Sequence, residues 1–376
     1  MLLMSAQPQL FETENDAYLQ KQIVTYLGNK RALLPLLQEA LSIVLAKSEK
    51  PRIEALDLFS GSGVVARFMK RYSSRLHTND LERYSSVLNH CYLTNHSAVD
   101  WAELNDCLHQ LKRNIAANWR SGFISRLYAP RCDDNIQPGE RAFYTRRNAE
   151  YLDTARQELS YFPNHIQTLL LGPLLARASV HANTSGVFKG FYKSKDGVGQ
   201  FGGTGKDALF RIKGQIEVEL PILSNFQSEV QVFREDATTF FDNRNASYDL
   251  VYIDPPYNQH PYGSNYFMLN LLCEYEEPSE ISHVSGIPVN WNRSDFNKRP
   301  KAEGALFKTV EACNSRFVLI SYNSEGFVPH QELLDFIRRL GTVTLLQTPY
   351  NTFRGSRNLR ERAIHVTEFL YLLEKK

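Results

Sequence analysis

The stretch Val251-Tyr252-Ile253-Asp254-Pro255-Pro256-Tyr257-Asn258 sets a carboxylate, two prolines and a phenol directly after apolar β-formers. Proline cannot donate to a sheet ladder and restricts the residue before it, so the spacing predicts a buried strand that stops at Asp254. The acid would then stand at a strand's carboxyl end, where open α/β sheets take their ligands. Asp254 brings acceptor oxygens, the proline-held backbone a rigid carbonyl, and Tyr257 a face for stacking. Together they suit a planar ligand bearing an amine. A purine's exocyclic amine is a weak nucleophile because its lone pair is delocalised into the ring; two acceptors taking its hydrogens favour the tetrahedral, reactive geometry. A strand closed by a stiff Pro-Pro turn is the plainer reading of the same residues.

A second candidate site lies near the front of the chain, in Asp57-Leu58-Phe59-Ser60-Gly61-Ser62-Gly63. Glycines between a strand and a helix let the backbone approach a ligand. Asn79-Asp80 follows the next apolar stretch, and an acid there can accept from the ribose of an adenosine-containing cofactor; a helix cap is the alternative. Gly61, Gly63 and Ala66 also fit the loose dinucleotide form Gly-x-Gly-x-x-Ala, so this turn alone does not separate NAD from another adenosine cofactor. The Gly-x-x-x-x-Gly-Lys-Ser/Thr phosphate loop is absent, which disfavours a nucleoside triphosphate.

Positioning these residues takes a parallel sheet. Residues 52–72 and 75–96 each read as strand, turn and helix, two consecutive βα units that predict a doubly wound α/β fold. A helix is expected after the Gly28-Asn29 turn, from the spacing of Leu33, Leu36, Leu37, Ala40, Leu41 and Val44. From Trp101 the rhythm changes to helical segments near 101–118, 146–161 and 164–179, followed by a Gly-, Lys- and aromatic-rich stretch over 185–215 that reads as a mobile or partner-ordered loop. Strands resume at 229, 248, 316, 342 and 365, with helices near 265–276, 304–313 and 330–339 between them.

Composition is that of an ordinary globular chain, and a net charge of +2 means any polyanion must be held by a local basic face. The five cysteines are scattered with no Cys-x-x-Cys pair, which argues against a disulfide framework or a zinc site; no metal is expected. Without an apolar run of about 20 residues or a signal-like start, a cytoplasmic protein with no membrane partner is expected.

Tyr26-Leu27-Gly28-Asn29-Lys30, the glycine turn, Asn79-Asp80 and the Asp-Pro-Pro-Tyr stretch occur in the order found in Dam-like DNA adenine-N6 methyltransferases of the restriction-modification type, which the chain resembles over about 20–100 and 228–375. The resemblance implies a Rossmann-like S-adenosylmethionine-dependent methyltransferase sheet at 18–100 and 227–376, interrupted at 101–226 by a mostly helical target-recognition region. It implies that Asp57, Phe59, Gly61 and Gly63 form the cofactor pocket with Asp80 on the ribose, while Tyr26, Gly28, Asn29 and Lys30 close over the methionine end. Lys30 has a rationale of its own, since a lysine neutralises a carboxylate. Asp236 stands where the family often places a residue near the cofactor's adenine; a plain surface acid is the alternative.

Asp254, Pro255 and Tyr257 would hold a flipped adenine, with Pro256 shaping the turn, because a base inside a duplex is out of reach. The expected reaction is site-specific transfer of a methyl group to N6 of adenine in double-stranded DNA. A restriction-modification role would add a cognate endonuclease acting on the same site. An RNA adenine methyltransferase and a DNA-binding module without activity are the alternatives. Arg354, Arg357 and Arg360 form a basic cluster suited to phosphates; Lys189, Tyr192 and Lys193, and Tyr262 and Asn265 after the acid, are the other expected DNA contacts. Solvated loops would show the same compositions.

Overall fold

The computed structural model describes residues 13–28, 30–206, 208–242, 244–351 and 365–376. Seven strands form one sheet: β1 (Ile53–Asp57), β2 (Ser73–Asn79), β3 (Glu229–Phe233), β4 (Tyr248–Ile253), β5 (Ser315–Asn323), β6 (Gly341–Asn351) and β7 (His365–Lys375). Their order is β3-β2-β1-β4-β5-β7-β6, with β7 antiparallel to both neighbours and every other pairing parallel. The order reverses beside β1, so the crevice between the carboxyl ends of β1 and β4 is the switch point where such sheets bind ligands.

Both faces are covered, as the doubly wound fold requires. Helices α1 (Leu34–Ser48) and α2 (Val64–Lys70) pack on one face over Ala55, Leu250, Tyr252 and Leu319. The alternate residues Leu56, Val251, Ile253, Val318 and Ile320 turn the other way. In chain order the remaining helices are α3 (Arg83–Tyr92), α4 (Trp101–Ala117), α5 (Phe123–Tyr128), α6 (Arg146–Leu159), α7 (Asn164–Val180), α8 (Leu209–Lys213), α9 (Tyr262–Asn265), α10 (Phe267–Glu274), α11 (Arg299–Ala312) and α12 (His330–Leu340). α11 and α12 cover the second face through Leu306, Val310, Leu333 and Ile337.

The helices at 101–117, 146–159 and 164–180 lie where helical spacing predicts them. They do not form a separate core: α4, α6 and α7 share one apolar cluster with α3 and α10. Gly172 in α7 shows how close the join is, since a Cβ there would lie 2.5 Å from the Cys91 sulfur of α3. The loop after α7 is also less loose than its composition suggests. Phe188 is 2% exposed, and Phe191 packs edge-on against Phe143 with centroids 5.1 Å apart. Among the described residues no helix is long and apolar enough to cross a membrane, and no group of three or more His, Cys, Asp or Glu side chains is placed to hold a metal.

Candidate active site

Register brings the acids together. Asp57, the last residue of β1, pairs with Thr78 of β2 on one side and Tyr252 of β4 on the other. β2 ends at Asn79 and β4 at Ile253, so Asp80 and Asp254 leave the sheet level with each other, two residues beyond the partners of Asp57. The cleft they border, about 900 Å³, is lined among others by Tyr26, Gly28, Lys30, Asp57, Phe59, Gly61, Asp80, Asp236, Asp254, Pro256 and Tyr262. Residues far apart in sequence thus meet on one surface. Three expected site residues, Gly63, Pro255 and Tyr257, are not among those lining it: Gly63 has φ +77°, and the Tyr257 carbonyl accepts from the Phe327 amide at 3.0 Å.

The glycine turn works by making room. Gly61 has φ +50°, and a Cβ there would lie 2.9 Å from the Tyr26 hydroxyl, so only glycine lets Tyr26 lie across the turn. The Tyr26 ring clusters near-parallel with those of Tyr262 and Tyr266, at centroid separations of 5.1 and 4.6 Å and interplanar angles of 13° and 16°, the other two rings being 6.0 Å apart. Its hydroxyl is 2.9 Å from that of Tyr84. The Leu27 amide donates to the Tyr266 hydroxyl at 2.6 Å, and the Tyr262 hydroxyl donates to the Leu27 carbonyl at 3.4 Å. The segment before Lys30 is therefore tied to α9 across the cleft mouth.

The cleft is acidic. Burial pushes Asp80 up to about 6, against the Glu82 and Gly61 amides that donate to its two oxygens at 2.8 Å each. Burial also pushes Asp57 well above the usual carboxylate range, with Asp254 and Asp80 adding to the effect. Both Asp57 oxygens are buried and make no full hydrogen bond among the described residues, the backbone amides of Phe59 and Ala66 easing its burial only in part. A weakly satisfied carboxylate on a cleft wall fits a cationic ligand group, and open glycine turns beside it fit close backbone approach.

Lys30 is the only cation among the described residues that line the cleft. Its ammonium lies 3.1 Å from Asp254 Oδ1 and 3.6 Å from Glu368 Oε2, and stands 5.6 Å from the Tyr257 ring centroid. Burial opposes the ammonium, but Asp254, Tyr257 and Glu368 beside it hold its pKa well above the ordinary lysine value. Burial raises Asp254 to about 6, Lys30 pulling it down and Glu368 pushing it up. The Tyr257 ring meets Tyr322 edge-on at 5.8 Å.

Sequence reasoning missed several of these residues. Glu368 comes from β7, more than a hundred residues beyond Asp254, and nothing in Thr367-Glu368-Phe369 marks it. Phe296 packs edge-on against Phe59 at 5.0 Å and, with Asn292, Ser294 and Asn297, builds the far wall. Glu82, pushed by burial up to about 7, accepts from Asn270 at 2.6 Å and Asn292 at 3.2 Å.

The expected DNA contacts divide. Lys189 is exposed, and Lys193 stands 5.1 Å over the Phe191 ring. Tyr192 is half-buried against a small apolar cluster of Ala142, Phe201 and Ile212. Tyr262 lines the cleft, whereas Asn265 is 2% exposed, and its carbonyl accepts from the Phe188 amide at 2.7 Å. That bond joins the basic loop to the cleft rim. Phe210 of α8 is 97% exposed between Lys206 and Lys213, an aromatic left in water that sequence reasoning did not single out. Asp236 is exposed at the rim and binds its own turn, accepting from the Thr238 amide at 2.8 Å. Asn29, Arg354, Arg357 and Arg360 lie outside the described residues.

A family model for the D12 class N6 adenine-specific DNA methyltransferases matches residues 26–294. The chain is similar to the type II methyltransferase M.NlaIII of Neisseria lactamica, at 28% identity over 94% of this chain and 99% of that protein. It is similar to the modification methylase StsI of Streptococcus sanguinis and to the type II methyltransferase M.FokI of Planomicrobium okeanokoites, each at 26% identity over 93% of this chain and 52% of theirs. The chain thus spans nearly all of the first relative and about half the length of the other two. With the sheet order, the acids gathered at its carboxyl edge and the matched residues in hand, the chain belongs to the D12 class of N6 adenine-specific DNA methyltransferases.

Proposed function

We propose that the cleft binds S-adenosylmethionine beside an adenine flipped from duplex DNA, with Asp254, Pro255, Pro256 and Tyr257 on the base. When bound, the cofactor supplies a methyl group on a sulfonium, whose sulfur departs as a neutral thioether. The observation that carries the reading is the convergence of Asp57, Asp80 and Asp254 on one cleft whose glycine turn is capped by Tyr26. In this reading Asp57 offers its weakly satisfied carboxylate to the cofactor's positive end, Asp80 faces the ribose, and Phe59 with Phe296 walls the adenosine. Gly28, Gly61 and Gly63 leave room for it. Asp236 and Asn29 are assigned to the same pocket on the resemblance alone.

Asp254 and a proline-held carbonyl accept the two hydrogens of N6 and turn its lone pair toward the methyl carbon. The N6–C bond forms as the S–C bond breaks with its electron pair returning to sulfur, and one N6 proton leaves to solvent. Lys30, expected on the cofactor's carboxylate, is engaged by two carboxylates in this structure; in our reading it orients Asp254. Extruding the base costs a few kcal/mol, offset by stacking on Tyr257 and by contacts along the duplex. Lys189, Tyr192, Lys193 and Tyr262 are assigned to the duplex, supported by the exposure of Lys189 and the place of Tyr262 in the cleft lining, and the exposed Phe210 is assigned to the gap left by the base. Arg354, Arg357 and Arg360 are assigned to phosphates on composition alone.

We assign 18–100 and 227–376 to catalysis and 101–226 to target recognition, and the protein to the cytoplasm as the modification half of a restriction-modification system with a cognate endonuclease. The test is methyl transfer from radiolabelled S-adenosylmethionine to unmodified duplex DNA beside matched RNA, with the nucleosides separated. Label in N6-methyladenine from DNA supports the reading; label only from RNA overturns it.

A further inference from the structure

Glu368 stands in β7, beyond the residues 26–294 that the family model matches. Its side chain is 3% exposed. Oε1 accepts from the Asn323 amide group at 3.4 Å, while Oε2 makes no hydrogen bond among the described residues and faces Lys30 at 3.6 Å. A buried carboxylate is costly unless paired, and here one ammonium is shared between two of them.

We propose that Glu368 is a positioning residue for methyl transfer, holding Lys30 against Asp254 and bringing the three groups to a net charge of −1. The inference rests on the role given to Asp254. The target nitrogen gains positive charge as its lone pair bonds to the methyl carbon. A Lys30–Asp254 pair alone would meet that charge with none. With Glu368 the trio presents the charge of a single carboxylate, while Lys30 still fixes where Asp254 points. Asp57 from β1, Tyr252 and Tyr257 flanking Asp254, and Tyr262 from α9 are the other titratable groups facing the trio.

The test compares E368Q, E368D, K30Q and the double variant K30Q/E368Q in single-turnover transfer across pH, with cofactor affinity by calorimetry and thermal midpoints alongside. E368Q is expected to slow transfer roughly tenfold with cofactor Kd within about threefold. Removing Glu368's charge displaces the acid limb of the rate to lower pH, and removing Lys30's displaces it to higher pH. The double variant, again at net −1, is expected to outpace either single variant, and E368D to recover part of the loss. Two independent losses that multiply in the double variant, or an acid limb unmoved in E368Q, would overturn the proposal and leave Glu368 a structural residue. If E368Q alone does not fold, the double variant against K30Q carries the same comparison. An unaltered chain that transfers no methyl to DNA adenine would overturn the reading of Asp254 on which the proposal stands.

Discussion

At the carboxyl edge of the sheet, Asp57, Asp80 and Asp254 are each fixed at or just beyond a strand's end, and the parallel register brings them to one side of the sheet. Beyond the rim, Lys189, Tyr192, Lys193 and Phe210 are carried by a loop whose only helix among the described residues is the five residues of α8. That loop is held by point contacts: Phe188 to Asn265, Tyr192 to Asn183, and Arg211 to the carbonyls of Ala182 and Thr184 at 2.9 and 3.1 Å. The first region performs one reaction whatever the target sequence and gains from rigidity. The second, in the proposed reading, meets a partner whose sequence and shape it must read, and loop geometry is where such reading is adjusted.

The comparison breaks first at Asp254. Asp254→Ala should lower transfer on the order of 10³-fold with little change in cofactor Kd, measured by single turnover and calorimetry; a matching loss of cofactor affinity would erase the separation between base and cofactor sites. Gly61→Val comes next: with φ at +50° and Tyr26 in the way, cofactor binding should weaken by roughly tenfold or more. Unchanged affinity would mean Tyr26 has another place to go.

The pH dependence sharpens the same region. Because Asp254 is raised to about 6 and must be ionised to accept from the amine, the rate should fall as pH drops through about 6. Stability should move oppositely. Carboxylates raised in the folded state bind protons there that the unfolded chain has already lost, so the contributions of Asp80 and Asp254 weaken as pH rises from about 4 to about 6. A chemical-denaturation series over that window checks the sign.

On the loop, Phe210→Ala should reduce kcat/KM on duplex DNA roughly tenfold and leave cofactor affinity alone. A substrate with an abasic site opposite the target adenine should restore much of the loss if Phe210 fills the gap; no restoration would make it a plain surface aromatic. Lys189→Ala should have the smallest effect, a uniform weakening across DNA sequences with the salt slope of binding reduced by about one.

The edge of the sheet was legible in the sequence because its signals are local. A proline pair stops a strand, a glycine pair permits a tight turn, and an acid after an apolar run sits at a strand end; Asp57, Asp80, Asp254, Gly61 and Gly63 follow from those rules. The order of the βα units, and the helices at 101–117, 146–159 and 164–180, are legible for the same reason of period. Glu368 and Phe296 are not, because a buried acid in a strand and a phenylalanine in a loop acquire meaning only from what lies across the cleft. The aromatic loop misled differently: its composition suggests mobility, yet Phe188 and Phe191 are anchored in the core, and the exposed aromatic is Phe210.

The segment from Glu14 to Lys30 belongs to neither region and touches both. Gln22 donates to the Leu220 carbonyl at 2.8 Å and accepts from the Ile222 amide at 2.8 Å, Thr25 binds Ser179 of α7, and a few residues on, Tyr26, Gly28 and Lys30 edge the cofactor cleft. If the helical insertion engages DNA as proposed, a tie of this kind converts any shift of it into a shift at the cleft mouth. Its consequence is thermodynamic reciprocity: whatever factor DNA applies to cofactor affinity, the cofactor must apply to DNA affinity. Cutting the tie at Gln22 should bring that shared factor toward one in both titrations, while each ligand still binds on its own.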